Sequence, residues 1–234
     1  MKKKYIAFIV IGIVIISFII LLIMLLNSSE YNNYSGPLDD EYLDSNGLID
    51  EEMAGKVSWN SYDLASGDLL VEVTNNNIYG ADIHIYVNYY DKNNKKVKEE
   101  QRFDTINPKS KGYTLFYHNK DNEYDRSEIK LKTEYAYGRV FYNNCIKSKA
   151  LNKKDFYFYI EYTNICKTSI NSVELGVLFY NSKDEIIGYG YTLANKKLRH
   201  GKKVKDYVII PDNGDYGDIS YDKYKIVVNE ASNW

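Results

Sequence analysis

Chemistry on a polypeptide needs a nucleophile beside a base, a pair of carboxyls, or a cluster of metal ligands. This chain offers few such groups. It has three histidines, His84, His118 and His200, and two cysteines, Cys145 and Cys166. His84 falls on the outward side of an alternating segment, His118 in the polar stretch "FYHNKDNEYD", and His200 in a basic loop. None stands beside a serine or cysteine nucleophile in a repeated context. The cysteines show neither C-x-x-C nor Cys/His metal spacing. The segment "YLDSNGLIDEEM" brushes against a calcium loop, with Asp44, Asn46, Gly47 and Asp50 at its third, fifth, sixth and ninth positions. Tyr42 stands where the leading aspartate belongs and Met53 where the bidentate glutamate belongs, so the segment reads as a solvated acidic linker. The sequence therefore reads as non-catalytic, without metal or cofactor.

Two groups of residues suit binding instead. "NKKLRHGKKVK" carries Lys196, Lys197, Arg199, Lys202, Lys203 and Lys205. These cations would suit anionic cell-wall polymers or lipid headgroups, each charge contributing about 1 kcal/mol near an anionic surface. The bland alternative is a solvated hairpin between two strands. Tyrosines that alternation turns outward (Tyr86, Tyr90, Tyr157, Tyr159 and Tyr180) would form a recognition surface, since exposed aromatics gather at interfaces. They would equally serve to cover a seam between domains, or act as strand formers. A formal net charge of −2 and a pI near 6.0 give no field that points to nucleic acid.

The elements that must position these groups begin at the N-terminus. Ile6 to Leu26 carries no charge. As a helix it would be about 31 Å long, matching a hydrocarbon core of about 30 Å. No A-x-A-like cleavage site follows it, and no cysteine for a lipoprotein anchor. Lys2, Lys3 and Lys4 precede the run, and acids from Glu30 to Glu52 follow it, which orients the N-terminus to the cytoplasm. The expected organisation is cytoplasmic residues 1–4, a single-pass anchor at 5–27 and an extended acidic stalk at 28–55, all else lying outside the cell.

Beyond the stalk the texture is that of short strands, with 25 tyrosines and three prolines. The text is also written twice. "LLVEVTN" (69–75) aligns with "FYIEYTN" (158–164), "VNYYDKNNKKV" (87–97) with "VLFYNSKDEII" (177–187), and "SEIKLKTEYA" (127–136) with "YKIVVNEA" (224–231). Period-2 alternation predicts strands with one buried face: Leu69, Val71 and Val73, then Ile83, Ile85, Val87 and Tyr89 in the first copy. Phe158, Ile160 and Tyr162, then Val173, Leu175, Val177 and Phe179, do so in the second. Asn93, Asn94 and Asp184 suit the positive φ of tight hairpins. The expected fold is all-β: two tandem antiparallel sandwiches, at 56–136 and 137–234. Cys145 is read at the end of one strand and Cys166 beyond the far end of the next. Outside the cell the two could pair, since disulfides persist there, but a simple hairpin would hold them tens of Å apart, well past the roughly 7 Å limit for a bridge.

Each copy resembles the FxLYD-type and related Ig-like domains of bacterial envelope proteins. "VEVTN", "IYVNYYDKNNKK" and "INPKSKGYTLF" carry the resemblance in copy one; "IEYTN", "LGVLFYNSKDE" and "LRHGKKVKDYVI" carry it in copy two. Asn94 and Asp184 stand near the usual turn glycine, Asn181 replaces an aspartate, and copy two lacks the proline. The resemblance implies an Ig-like β-sandwich exposed outside the cell, and it brings no catalytic residues. The expected function is thus a membrane-anchored binding or scaffolding module with a protein or anionic-polymer partner. The alternative is an accessory subunit that meets a membrane complex through its helix.

Overall fold

The computed structural model describes residues 54–117, 124–213 and 217–233. The apolar run, the calcium-loop-like segment and His118 lie outside them. Among the described residues no helix is long and apolar enough to cross a membrane. They form strands β1 (Val57–Asp63), β2 (Leu69–Asn75), β3 (Ala81–Tyr90), β4 (Lys96–Ile106), β5 (Ser110–Phe116) and β6 (Arg126–Tyr135). These are followed by β7 (Val140–Phe141), β8 (Ile146–Lys154), β9 (Tyr157–Asn164), β10 (Ser172–Tyr180), β11 (Ile186–Ala194), β12 (Lys203–Ile209) and β13 (Lys223–Asn233). The protein is all-β, and every strand pairing is antiparallel.

Four sheets result, ordered β1-β2-β5, β4-β3-β6, β8-β9-β12 and β11-β10-β13-β7. The order of the first two recurs in the last two, with only the short β7 added. Register recurs as well. Val87 faces Ile129 and Ile85 faces Leu131 across β3 and β6. Val177 faces Ile226 and Leu175 faces Val228 across β10 and β13. The inward residues of the first two sheets, among them Val71, Val73, Ile83, Ile85 and Phe116, close one apolar core. Those of the last two, including Phe158, Ile160, Leu175, Val177 and Phe179, close a second.

The recurring polar residues hold the same positions in both halves. Asn94 (φ 58°) and Asp184 (φ 67°) take the left-handed conformation in the β3–β4 and β10–β11 hairpins, whereas Asn93 is not among the positive-φ residues. The Asp91 carboxylate accepts from the amides of Asn93 and Lys95. Asn181 accepts from those of Lys183 and Glu185 through its own Oδ1, so the change from aspartate keeps the acceptor. Asn75 is fully buried, and its Nδ2 donates to the carbonyls of Tyr79, Ile106 and Asn107. Asn164, equally buried, donates to Thr168 and Leu198. Each asparagine thereby ties the loop after its strand to the loop before β5 or β12, satisfying carbonyls that would otherwise be buried unpaired.

Two features differ from the sequence reading. Cys145 and Cys166 are joined by a disulfide, with Cα atoms 5.2 Å apart. Cys145 does not end a strand. It closes a 3-10 turn, Asn143–Cys145, that leads into β8, and β8 pairs with β9 so that Ile146 faces Asn164. Both cysteines therefore sit at the same end of the hairpin.

The second difference lies in β2 and β10, which bury both faces, unlike β9 with its strict alternation of buried and half-exposed residues. The outer face of β1-β2-β5 meets that of β11-β10-β13, where Leu64, Leu70 and Tyr113 pack on Leu178 and Tyr189. The Ala65 amide donates to the Ile187 carbonyl at 3.0 Å, and the Tyr189 hydroxyl to the Tyr113 carbonyl at 3.3 Å. Gly176 makes room here, since a Cβ would fall 2.6 Å from Cε2 of Tyr189. Glu72, buried in the same seam, accepts from Lys111 (2.7 Å) and the Tyr113 hydroxyl (2.9 Å). Burial pushes that carboxyl up, but these bonds outweigh it and hold the carboxyl below its ordinary range.

Candidate functional site

With two sheets consumed by the seam, the outer faces of β8-β9-β12 and β4-β3-β6 remain open. The face of β8-β9-β12 is ordered by register into rows across the three strands. Lys147, Thr163 and Lys203 form the first row, and Lys149, Glu161 and Lys205 the second. Asn152, Tyr159 and Tyr207 form the third, and Lys154, Tyr157 and Ile209 the fourth. Strand spacing places the two lysines of a row about 10 Å apart, and successive rows about 7 Å apart. Four lysines thus frame one carboxylate. Lys149 stands 3.1 Å and Lys203 4.0 Å from Glu161, and the Lys149 hydrogen bond leads the effects that lower the Glu161 pKa.

The other end of this face is aromatic. The Tyr157 and Tyr207 rings meet edge to face at 4.8 Å, Tyr159 lies 6.0 Å from Tyr207, and Phe156 lies 4.3 Å from Tyr157. Phe156, Tyr207 and Ile209 are all about half exposed. Alternation is the cause: Phe158, Ile160 and Val208 turn into the core, and their neighbours turn to solvent. One surface therefore carries the lysine quartet at one end and rings at the other, with Lys154 on the edge strand of the aromatic end.

The β11–β12 loop brings more cations to the lysine end. Leu198 is buried against Ile170 through paired backbone hydrogen bonds, and the Gly201 amide donates to the Asn164 carbonyl at the end of β9. This anchoring leaves Lys196, Lys197, Arg199 and Lys202 exposed beside Lys203. The His200 ring nitrogen lies 3.0 Å from the Cys166 carbonyl.

Of the residues singled out from sequence, the structure unites Tyr157, Tyr159, Lys203 and Lys205 on one face, flanked by the other four cations. Tyr86, Tyr90 and Tyr180 are not part of it. Tyr86 and Tyr90 lie on the outer face of β4-β3-β6. There Asp82, Glu99, Glu128 and Glu134 balance Lys96, Arg126, Lys130 and Lys132, and the Tyr90 hydroxyl donates to Glu128. His84 is on that face too, against Gln101 and the Phe103 ring. Tyr180 packs at the seam with Lys223 over its ring. Sequence reading missed Lys147, Lys149 and Tyr207. The first two occupy every second position of "IKSKA" and were legible as outward lysines once β8 was placed. Among the described residues no group of three or more His, Cys, Asp or Glu could hold a metal ion.

No protein-family model and no curated protein matches the chain. Among solved structures, the transglutaminase of red sea bream shows similarity over 76% of this chain and 29% of that chain, at 10% identity and a TM-score of 0.24. The expectation of a non-catalytic chain stands against this neighbour, which is an enzyme, and is not carried forward. Likeness of this degree transfers neither fold nor activity, and the surface described above stands on its own geometry.

Proposed function

We propose that the chain is a membrane-anchored, extracytoplasmic binding module of a bacterial envelope, built as two tandem Ig-like sandwiches of the FxLYD-related kind. Its site is the lysine–tyrosine face of β8-β9-β12, and its partner an anionic cell-wall polymer. The observation that carries this reading is the coincidence on one open sheet of an almost unopposed lysine quartet and an exposed aromatic cluster. The other open face, that of β4-β3-β6, has its charges balanced. A polyanion lying along the strands would meet two rows of lysines about 7 Å apart, while its uncharged parts rest on Tyr157, Tyr159 and Tyr207. The disulfide supports the compartment, since such bridges persist in oxidising surroundings. The recurring strand order and the two separate cores support the tandem reading.

The test is retention of the full detergent-solubilised chain on a purified polyanionic wall polymer. Lys149→Gln with Lys205→Gln removes two charges, about 2 kcal/mol in all, and is expected to weaken binding about 30-fold. Retention should also fall as salt rises. Unchanged retention by the double variant would remove the polymer reading.

A further inference from the structure

Each of the four sheets ends in two edge strands, and an open edge offers unpaired amides and carbonyls to another chain. Most of these edges are blunted. β4, β6, β8 and β12 carry charged side chains along their length, and the pairings of β4 with β3 and of β8 with β9 are interrupted by bulges. β7 is only two residues long. β5 is covered by the other half, where the Tyr113 carbonyl accepts from the Tyr189 hydroxyl at 3.3 Å and from Asn229 at 3.4 Å. β11 is covered twice, by the Ala65 amide at Ile187 and by the Ile209 carbonyl, which lies 2.5 Å from where a Cβ on Gly190 would stand.

β1 has none of these protections. Val57 to Tyr62 holds no charged residue and no proline, and β1 pairs with β2 without a bulge. Hydrogen bonds at the two ends of the strand fix which groups face outward. The Lys56 carbonyl accepts from Asn76 and the Leu64 amide donates to Asp68, so the even-numbered residues turn their backbone groups to β2. The amides and carbonyls of Val57, Trp59 and Ser61 therefore point away from the sheet. Further along the same odd-numbered series, the Ala65 amide does find a partner, the Ile187 carbonyl. Val57, Trp59 and Ser61 have no such backbone partner among the described residues. Trp59 is also 40% exposed, although it shares a face of the sheet with its cross-strand neighbour Val73, which is fully buried.

We propose that β1 is a self-pairing edge. Two copies of this chain would join there antiparallel across a two-fold axis through Trp59, fusing their three-stranded β1-β2-β5 sheets into one. A second copy suits the edge because the outward groups are symmetric about Trp59. Val57 of each copy faces Ser61 of the other, and Trp59 faces Trp59, which gives about six hydrogen bonds between the copies. Ser58 falls opposite Asn60, so no like charges are opposed. The two tryptophans meet with Cα atoms about 5.5 Å apart, and each covers apolar surface that the other leaves open. Val57 of one copy lies about 13 Å from Val57 of the other, so the segments that precede them begin side by side. The pairing is independent of the lysine–tyrosine face, which belongs to a sheet of the other half.

Sedimentation equilibrium of the full detergent-solubilised chain tests it, with Ser61→Pro and Trp59→Lys as variants. Proline at 61 removes an outward amide and leaves the β2 ladder whole. Lysine at 59 sets like charges opposite one another at the axis. The native chain is expected to form dimers with a Kd on the order of 10 µM, since one strand pairing is a small interface. Each substitution should weaken the dimer at least about tenfold, with a denaturant midpoint close to that of the native chain. Should one variant fail to fold, the other decides. A native chain still monomeric at about 100 µM would overturn the proposal. So would a dimer that a folded variant leaves unchanged, or association that continues past the dimer.

Discussion

Asp104 on β4 is the residue where burial and charge are in sharpest conflict. Its carboxyl accepts from the Thr114 hydroxyl at 2.8 Å, while Glu174 and Glu230 approach from the other half of the molecule. Burial first, then repulsion from Glu174, pushes its pKa up to about 7. A carboxyl raised above its unfolded value keeps its proton in the folded state over the interval where the unfolded chain has lost it. Stability therefore falls as pH rises from about 4 to about 7, then levels off. Glu174, also raised by burial, adds in the same direction. Asp104→Asn should flatten this slope and raise stability at pH 8 by about 2–4 kcal/mol, measured by denaturant unfolding across pH. None of this was legible in the sequence, where Asp104 is one acid in a polar strand. The hairpin residues Asn94 and Asp184 were legible, because local backbone sterics alone favour them in turns.

At the scale of elements, strands and their inward faces followed from period 2, since alternation is a property of each strand by itself. Strand ends did not follow so well, and the cysteines show the consequence. Starting β8 at Ile146, just after Cys145, turns two cysteines apparently at opposite ends of a hairpin into near neighbours. The bridge closes a loop with a sequence separation of 21. On chain-entropy grounds Cys145→Ser with Cys166→Ser should lower unfolding free energy by about 3 kcal/mol. Reduction of the native chain should give a similar loss. A second signal was present but ambiguous: "VELGVLFY" is nearly unbroken in apolar residues, as a strand buried on both faces requires. A short apolar run says that a face is covered without saying by what.

At the scale of the whole molecule, the seam decides which surfaces are left to act. It hides the outer faces of β1-β2-β5 and β11-β10-β13 behind Leu70, Tyr113, Leu178 and Tyr189, and leaves the lysine–tyrosine face open. Gly176 is the point at which this contact is most exposed to mutation. A Cβ there would meet Tyr189 at 2.6 Å and Val227 at 2.9 Å in a region without free space. Gly176→Ala is expected to destabilise the fold by about 1–3 kcal/mol through overpacking, read from the shift in denaturant midpoint. The central claim concerns what remains outside the seam, and lysine-reactivity footprinting of the full chain, with and without a polyanionic wall polymer, tests it most directly. Bound polymer should protect Lys147, Lys149, Lys203 and Lys205 from acylation while Lys130 and Lys132 on β6 react as before. Equal protection of both sets, or protection of neither, would contradict the assignment of the site to β8-β9-β12.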